Sequence, residues 1–295
     1  MALHELRDLI ARHASCDALA LPGTLLLCAD APCASVSVVC EPMLCLVAQG
    51  AKRIVMGEHV LEFGAASSLV VTMAMPVASE VTQACSEEPY LAVGFPLSTA
   101  PLAELLLAMP PSPWVSRDHA IDLQPLTEDL LGAAIQLLRL LDRPADVPVL
   151  APLRTRELLY RLLTGAHASA LRGLVQGRGA SSQVARAAAW IRSHHHQPLR
   201  IAELAALVSL SESALHRNFK ALTGLTPLGY QKHIRLITAR SRLLAEGGEA
   251  ADVGFAVGYN SPSQFSREYA RLFGEPPARD AARLRSAQQW PGLAW

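Results

Sequence analysis

LSESALHRNFKALTG, Leu210 to Gly224, and NSPSQFSREYARLFG, Asn260 to Gly274, are two versions of one pattern. At a single fixed offset Ser211 matches Ser261, Ser213 matches Ser263, Leu215 matches Phe265, and Arg217 matches Arg267. Phe219 and Tyr269, Leu222 and Leu272, Gly224 and Gly274, and Pro227 and Pro277 continue the series. Such self-similarity marks a duplicated structural unit. Each version reads as a capped helix. Ser211 and Ser261 stand where a side-chain oxygen satisfies the free amides of a first turn. Leu215, Phe219 and Leu222 recur at helical spacing, as do Phe265, Tyr269 and Leu272, so one stripe of each helix faces a core. Gly224 and Gly274 suit the left-handed residue that ends a helix. Short apolar helices are expected before them, over residues 201–208 and 251–257, with turns at Ser209-Leu210 and Gly258-Tyr259-Asn260. Helix, short turn and capped second helix make a helix-turn-helix unit.

In such a unit the second helix enters the major groove and its N-terminal residues reach base edges. Removing the buried stripe leaves Ser213, His216, Arg217 and Lys220 in the first copy. In the second it leaves Ser263, Gln264, Ser266, Arg267 and Arg271. Arg bonds guanine in bidentate fashion, Gln does the same to adenine, and Ser serves either. Lys220 and Arg271 sit a turn later and are assigned to phosphate, the others to base reading. Residues 227–245 join the copies, with Tyr230, Ile234, Ile237 and Leu244 at helical spacing and Pro227 suited to a first turn. A rod of this length spans roughly 28 Å. It would hold two reading helices in successive major grooves, about 34 Å apart, on one face of a duplex. The competing reading is a helical domain that binds protein. Against it, the exposed positions hold Arg, Ser, Gln and His rather than apolar anchors.

The segments LAALVSLSESALHRNFKALTGLTPLGYQKHIRLITARSRLL (residues 204–244) and VGFAVGYNSPSQFSREYARLFGEPPARD (residues 253–280) resemble the AraC/XylS family of bacterial transcription regulators. The resemblance implies double-stranded promoter DNA as partner and, for most relatives, activation through RNA polymerase. Three departures stand out. Ser209 occupies a turn position that is usually Gly, and a non-Gly residue at positive φ costs ~1 kcal/mol. Gly254 replaces the usual Ala, and the second unit ends PPARD rather than in a Pro-x-x-Tyr-Arg pattern.

The chain has 295 residues, enough for two domains, and 51% hydrophobic residues, enough for sizeable cores. Net charge is zero but unevenly spread: from Ser181 onward 14 Lys+Arg face 8 Asp+Glu, leaving 12 against 18 before it. A basic C-terminal part beside an acidic N-terminal part suits nucleic-acid binding by one end. No apolar run reaches the ~18 residues of a membrane span. The opening MALHELRDLIARHASCDALA reads as an amphipathic helix rather than a secretory signal, which implies a cytoplasmic protein. Cys16, Cys28, Cys33, Cys40, Cys45 and Cys85 show no zinc spacing. Reduced, buried thiols are the bland expectation. The sharper alternative is a redox- or aldehyde-sensing regulator, with Cys28 and Cys85 as thiol sensors.

Strand-like runs broken by Pro and Gly occupy residues 24–29, 35–40, 43–48, 53–56, 59–63, 68–72, 78–84 and 90–96, with a hairpin at Gly57-Glu58. They predict a β-sandwich or barrel able to enclose a small ligand. Glu41-Pro42, the run Val47 to Arg53, Gly57, Phe63-Gly64 and Glu88 to Leu91 resemble the cupin-like N-terminal domain of one AraC subfamily. That implies an effector domain without naming its effector or the residues that bind it. Leu-rich helical patterns follow at 101–109, 127–141, 150–164 and 167–175, as core or dimer seam. Residues 177–182 read as a flexible boundary, with a helix over 182–195 after it. Consecutive residues on one helix point apart, so His194-His195-His196 cannot chelate a metal together. His59 and His119 alone do not furnish the ligand set of a metal-dependent cupin enzyme, and the cysteine scatter disfavours a zinc-bound cysteine domain. No Ser/His/Asp order or phosphate loop stands out, so no enzyme, metal or cofactor is expected. The expected architecture is multidomain α and β. Residues 1–100 form a cupin-like β-barrel for a small-molecule effector. Residues 101–180 form a helical connector with a homodimer contact, and residues 181–295 an all-α double helix-turn-helix domain.

Overall fold

The computed structural model describes residues 2–14, 20–110, 119–175, 179–245 and 248–286. Its N-terminal half is built on nine strands: β1 (Leu25–Ala29), β2 (Val36–Cys40), β3 (Met43–Gln49), β4 (Ala51–Met56), β5 (His59–Gly64), β6 (Ser67–Val71), β7 (Met75–Gln83), β8 (Tyr90–Pro96) and β9 (Ile121–Pro125). They form two antiparallel sheets, ordered β1-β8-β3-β6-β9 and β2-β7-β4-β5. Alternation decides which side chains point between the sheets: Lys52, Ile54 and Met56 of β4 are buried while their neighbours are only half-buried.

Two strand features differ from the sequence expectation. β7 begins at Met75 and contains Pro76, which reads in the sequence as a breaker. Pro76 pairs with Val39 of β2, but the pairing with β4 starts only at Ala78, so the missing N–H falls where β7 has no second neighbour. β9 (Ile121–Pro125) lies beyond the last strand that the sequence predicts, in the stretch expected to be helical connector. Its five residues alternate weakly by themselves, and they become a strand by pairing along β6 from Ser67↔Pro125 to Val71↔Ile121.

The helices are α1 (Ala2–His13), α2 (Thr99–Ala108), α3 (Glu128–Leu138), α4 (Val147–Thr164), α5 (Ala168–Val175), α6 (Ala180–Ser193), α7 (Ile201–Leu207), α8 (Glu212–Thr223), α9 (Pro227–Ala245), α10 (Ala250–Ala256), α11 (Pro262–Phe273) and α12 (Pro277–Ser286). Two short 3-10 turns, Arg139–Asp142 and Pro144–Asp146, join α3 to α4. α12 follows the PPARD departure and starts with Pro277 in its first turn, where the lost N–H has no partner to lose. α6 starts two residues before the expected position, directly after Gly179 at φ 102°. Gly177 and Arg178 of the expected boundary, residues 111–113 of the Pro-rich break after α2, and Cys16 lie outside the described residues. No helix among the described residues is long and apolar enough to cross a membrane.

Three cores result. The outer face of the five-stranded sheet (Leu44, Leu46, Val70, Val93) packs on α1 through α5. The space between the sheets (Cys45, Val47, Ile54, Met75, Tyr90) is continuous with the core of the first helix-turn-helix unit (Leu204, Leu215, Phe219, Tyr230, Ile234). The second unit has a core of its own: Leu236, Leu243, Val257, Phe265 and Tyr269. α9 therefore serves both units from different faces. Ile237 and Leu244, expected on its buried stripe, are only half-buried, while Leu236, Ala239 and Leu243 are buried.

Candidate nucleic-acid interface

The two reading helices are capped alike. Ser211 Oγ accepts from Ala214 N at 3.2 Å, and Ser261 Oγ accepts from Gln264 N at 3.4 Å. Gly224 (φ 71°) and Gly274 (φ 84°) end them in the left-handed conformation. Leu215 and Phe219 are fully buried in the first, Phe265 and Tyr269 in the second. With those faces held down, Ser213, Arg217 and Lys220 of α8 are exposed and His216 is half-buried. On α11, Ser263, Gln264, Arg267 and Arg271 are exposed and Ser266 is half-buried. Arg217 and Arg267 thus occupy equivalent places on equivalent helices, each with its guanidinium free to reach outward.

Two departures show their consequences in the structure, one in a turn and one in a helix packing contact. Ser209 sits at φ 58° and Gly258 at φ 97°, in the same role: Ser209 N donates to Ala206 O as Gly258 N does to Phe255 O. The first turn therefore carries the strain expected of a non-Gly residue there. The second turn is longer by Asn260 before its capping serine. Gly254 has a packing reason: a Cβ at that position would lie 2.9 Å from the Phe265 ring, so its absence lets α10 close on α11.

A polar frame holds each unit. Gln231 Nε2 donates to the carbonyls of His195 and Gln197, and Arg235 Nε and Nη2 donate to the same two. The three-histidine stretch is thus a junction whose backbone is read by α9. His194 stacks on Trp190 at 4.4 Å, and no metal-binding group of three side chains gathers among the described residues. In the second unit Glu268 receives Lys232 Nζ at 3.0 Å, Tyr259 OH at 2.8 Å and Gln264 Nε2 at 3.2 Å. Burial alone would push the Glu268 carboxyl up, but these hydrogen bonds outweigh it and hold the carboxyl below its usual range. Gln264, expected to read a base, is engaged here by Glu268.

The effector side has its own polar groups. Lys52 is 0% exposed, its amine close to the thiols of Cys33, Cys40 and Cys45, and burial pushes it down to about 8. Ser79 Oγ and Tyr90 OH, also between the sheets, have no hydrogen-bond partner among the described residues. A void of about 10 Å³ lined by Cys40, Cys45, Ile54 and Ser79 holds no more than about one water. Cys28 is exposed, but burial of its sulfur and the nearby Asp30 push its thiol up, the opposite of what a reactive thiolate needs. Cys85 is exposed and accepts from Glu88 N at 3.3 Å.

Folding also assembles something the linear order hid. His167 Nδ1 donates to Asp122 Oδ2 at 2.6 Å, and its Nε2 lies 2.9 Å from Ser68 Oγ. All three side chains are buried. The line ties β6 and β9 to the start of α5, and its serine has no route to a substrate, so it is a structural clasp rather than a nucleophilic site. Burial would raise the Asp122 carboxyl, yet the bonds from His167 and Gln124 bring it below its usual range.

The model of the "AraC-type transcriptional regulator N-terminus" matches residues 20–170, and that of a "Helix-turn-helix domain" matches residues 204–283. The HTH-type transcriptional activator RhaS of Klebsiella pneumoniae is 37% identical over 99 residues, 34% of this chain and 35% of that protein. RhaS of Salmonella schwarzengrund is 28% identical over 164 residues, 55% of this chain and 58% of that one. The matches therefore span between a third and three-fifths of these relatives. Fatty-acid-bound ToxT from Vibrio cholerae superposes on 88% of this chain and 93% of its own, with a TM-score of 0.55 at 11% identity, a likeness of fold.

Proposed function

Since the chain belongs to the AraC-type transcriptional regulators, by a family match covering half of it, we propose that it is a one-component regulator of transcription in the cytoplasm. α8 and α11 read adjacent major grooves of one promoter, and the double-sheet domain senses a small molecule. The carrying observation is the pair of identically capped helices that leave Arg217 and Arg267 exposed at matching positions. Ser213, His216, Ser263, Gln264 and Ser266 join them at base edges, and Lys220 and Arg271 take phosphate. On the cognate site, Arg217→Ala and Arg267→Ala are each expected to cost ~1–3 kcal/mol and to relax specificity at one position. Genomic footprinting of the purified protein supplies that site, and titrations of each variant on cognate and scrambled duplexes decide. Equal losses on both would make these arginines phosphate contacts.

The effector site in this reading lies between the sheets, around Lys52, Ser79 and Tyr90. Two hydroxyls without partners among the described residues and an amine suit a ligand with an oxygen acceptor, and the void lined by Cys40, Cys45, Ile54 and Ser79 holds about one water, so at that place the sheets must part to admit it. A ligand shifts the protein only through different affinity for two states. The continuity of this interior with the core of the first helix-turn-helix unit supplies the route by which such a difference reaches α8.

A homodimer is supported by α4, where Val149, Leu153 and Tyr160 stand exposed on one side of the helix. Leu153→Glu is expected to shift the sedimentation profile from dimer toward monomer while leaving the circular dichroism spectrum of the folded chain unchanged. A profile identical to wild type places the contact elsewhere. Contact with RNA polymerase completes the reading as an activator.

A further inference from the structure

We infer that the β4–β5 hairpin and DNA compete for the same face of α8, with Glu58 standing in for a phosphate. The inference rests on the proposal that α8 meets DNA. The hairpin turn, Gly57-Glu58, lies directly against the end of the first reading helix. Glu58 Oε1 is 3.0 Å from Lys220 Nζ. The backbones touch: a Cβ on Gly57 would lie 2.2 Å from the carbonyl oxygen of Gly224, and a Cβ on Gly224 would lie 2.2 Å from that of Met56. Glycine on both sides is what allows this approach. Beyond the contact opens a cleft with Glu58 and His59 on one wall and His216, Arg217 and Lys220 on the other.

Other bonds make the contact a docked state of the whole unit. Tyr230 OH donates to Ala74 O at 2.7 Å in a buried bond between α9 and the residue preceding β7. Arg192 of α6 pairs with Glu41 through both of its terminal nitrogens. The second unit differs: its core is separate from the sandwich, and Arg267 and Arg271 of α11 are exposed. Lys220 of α8 is therefore engaged by a carboxylate of the hairpin, with about half of its side chain still exposed, whereas Arg267 and Arg271 have no ion pair among the described residues. An ammonium cannot serve a carboxylate and a DNA phosphate with full strength at once, and a carboxylate held beside the duplex repels it. DNA binding through both units then requires the hairpin to withdraw from Lys220.

Because non-specific binding reads phosphate alone, a random-sequence 40-base-pair duplex is a sufficient probe for the full chain. Fluorescence anisotropy at low salt would compare wild type, Glu58→Gln, Lys220→Gln, the double variant, and Glu87→Gln as a control of equal charge change on another exposed glutamate. Exposed ion pairs are weak, so Glu58→Gln is expected to tighten binding about two- to five-fold, well beyond Glu87→Gln. Lys220→Gln should loosen it, and in the double variant the gain from Glu58→Gln should vanish. If Lys220→Gln weakens binding but Glu58→Gln behaves like Glu87→Gln, the competition is refuted and the DNA reading stands. A gain that persists without Lys220 refutes it as well. If Lys220→Gln has no effect, α8 does not meet phosphate there, and both the competition and that part of the DNA reading fall.

Discussion

Asp280→Ala is expected to destabilise the second helix-turn-helix unit by about 3–5 kcal/mol, so that it melts ahead of the rest of the molecule. Asp280 is 0% exposed. Its carboxylate accepts from Arg240 Nε at 2.8 Å and Nη2 at 3.0 Å, from Tyr269 OH at 2.9 Å, and from Arg283 Nη2 at 2.7 Å. One anion thus holds together α9, α11 and α12. Its removal takes the neutralising charge from a guanidinium that is itself buried, and the stacking of Arg240 on the Phe273 ring at 4.5 Å offsets only part of that loss. The matching position in the first unit, by the sequence offset, is Tyr230, whose hydroxyl reaches across to Ala74. The second unit is thus keyed to itself and the first to the sandwich. Calorimetry should resolve an early transition in the variant, and hydrogen exchange should assign it to α10 through α12. An unchanged melting profile would refute the assignment.

The reading helices were legible in the sequence because everything that makes them is local. A capping serine, a stripe of apolar side chains and a terminal glycine lie within fifteen consecutive residues of each copy. Ser209 was legible for the same reason: the turn demands positive φ whatever surrounds it, and φ is 58°. β9, the Ser68–His167–Asp122 line and the docking of α8 on the hairpin were not, because each depends on residues far apart in the chain. Nothing around Ile121 announces that β6 lies beside it, and nothing around Glu58 announces Lys220. Lys52 is an intermediate case. It reads as a polar residue at the start of a hairpin, yet it stands two residues before Ile54 and four before Met56, on the face that alternation turns inward. The signal was present, and the general rule that lysines stay outside concealed it.

That buried amine leads to the second large effect. Lys52→Met is expected to raise stability at pH 7 by about 3 kcal/mol, the free energy that corresponds to an amine pushed from its ordinary 10.5 to about 8. The folded protein holds the proton less tightly than the unfolded chain does. Wild-type stability should therefore rise with pH between about 8 and 10.5, as the amine loses a charge that burial penalises. Cys40 and Cys45, whose thiols are pushed from 9.0 up to about 12, act in the opposite sense above pH 9. They are present in both proteins, but Lys52 itself lowers both thiols, so their contributions cancel in the difference only below about pH 9, before the thiols titrate. The advantage of Lys52→Met should accordingly be greatest below pH 8 and close as the pH approaches 10.5. Denaturant titrations of both proteins at pH 7, 8.5 and 10 measure it, and a difference that does not change with pH would show that the gain comes from packing instead. Methionine fills a similar length without a charge, so a large stabilising effect would mean that the native residue is kept at a cost in stability. Under the effector site proposed around Lys52, Ser79 and Tyr90, the variant should also be the protein whose melting temperature no longer responds to the effector.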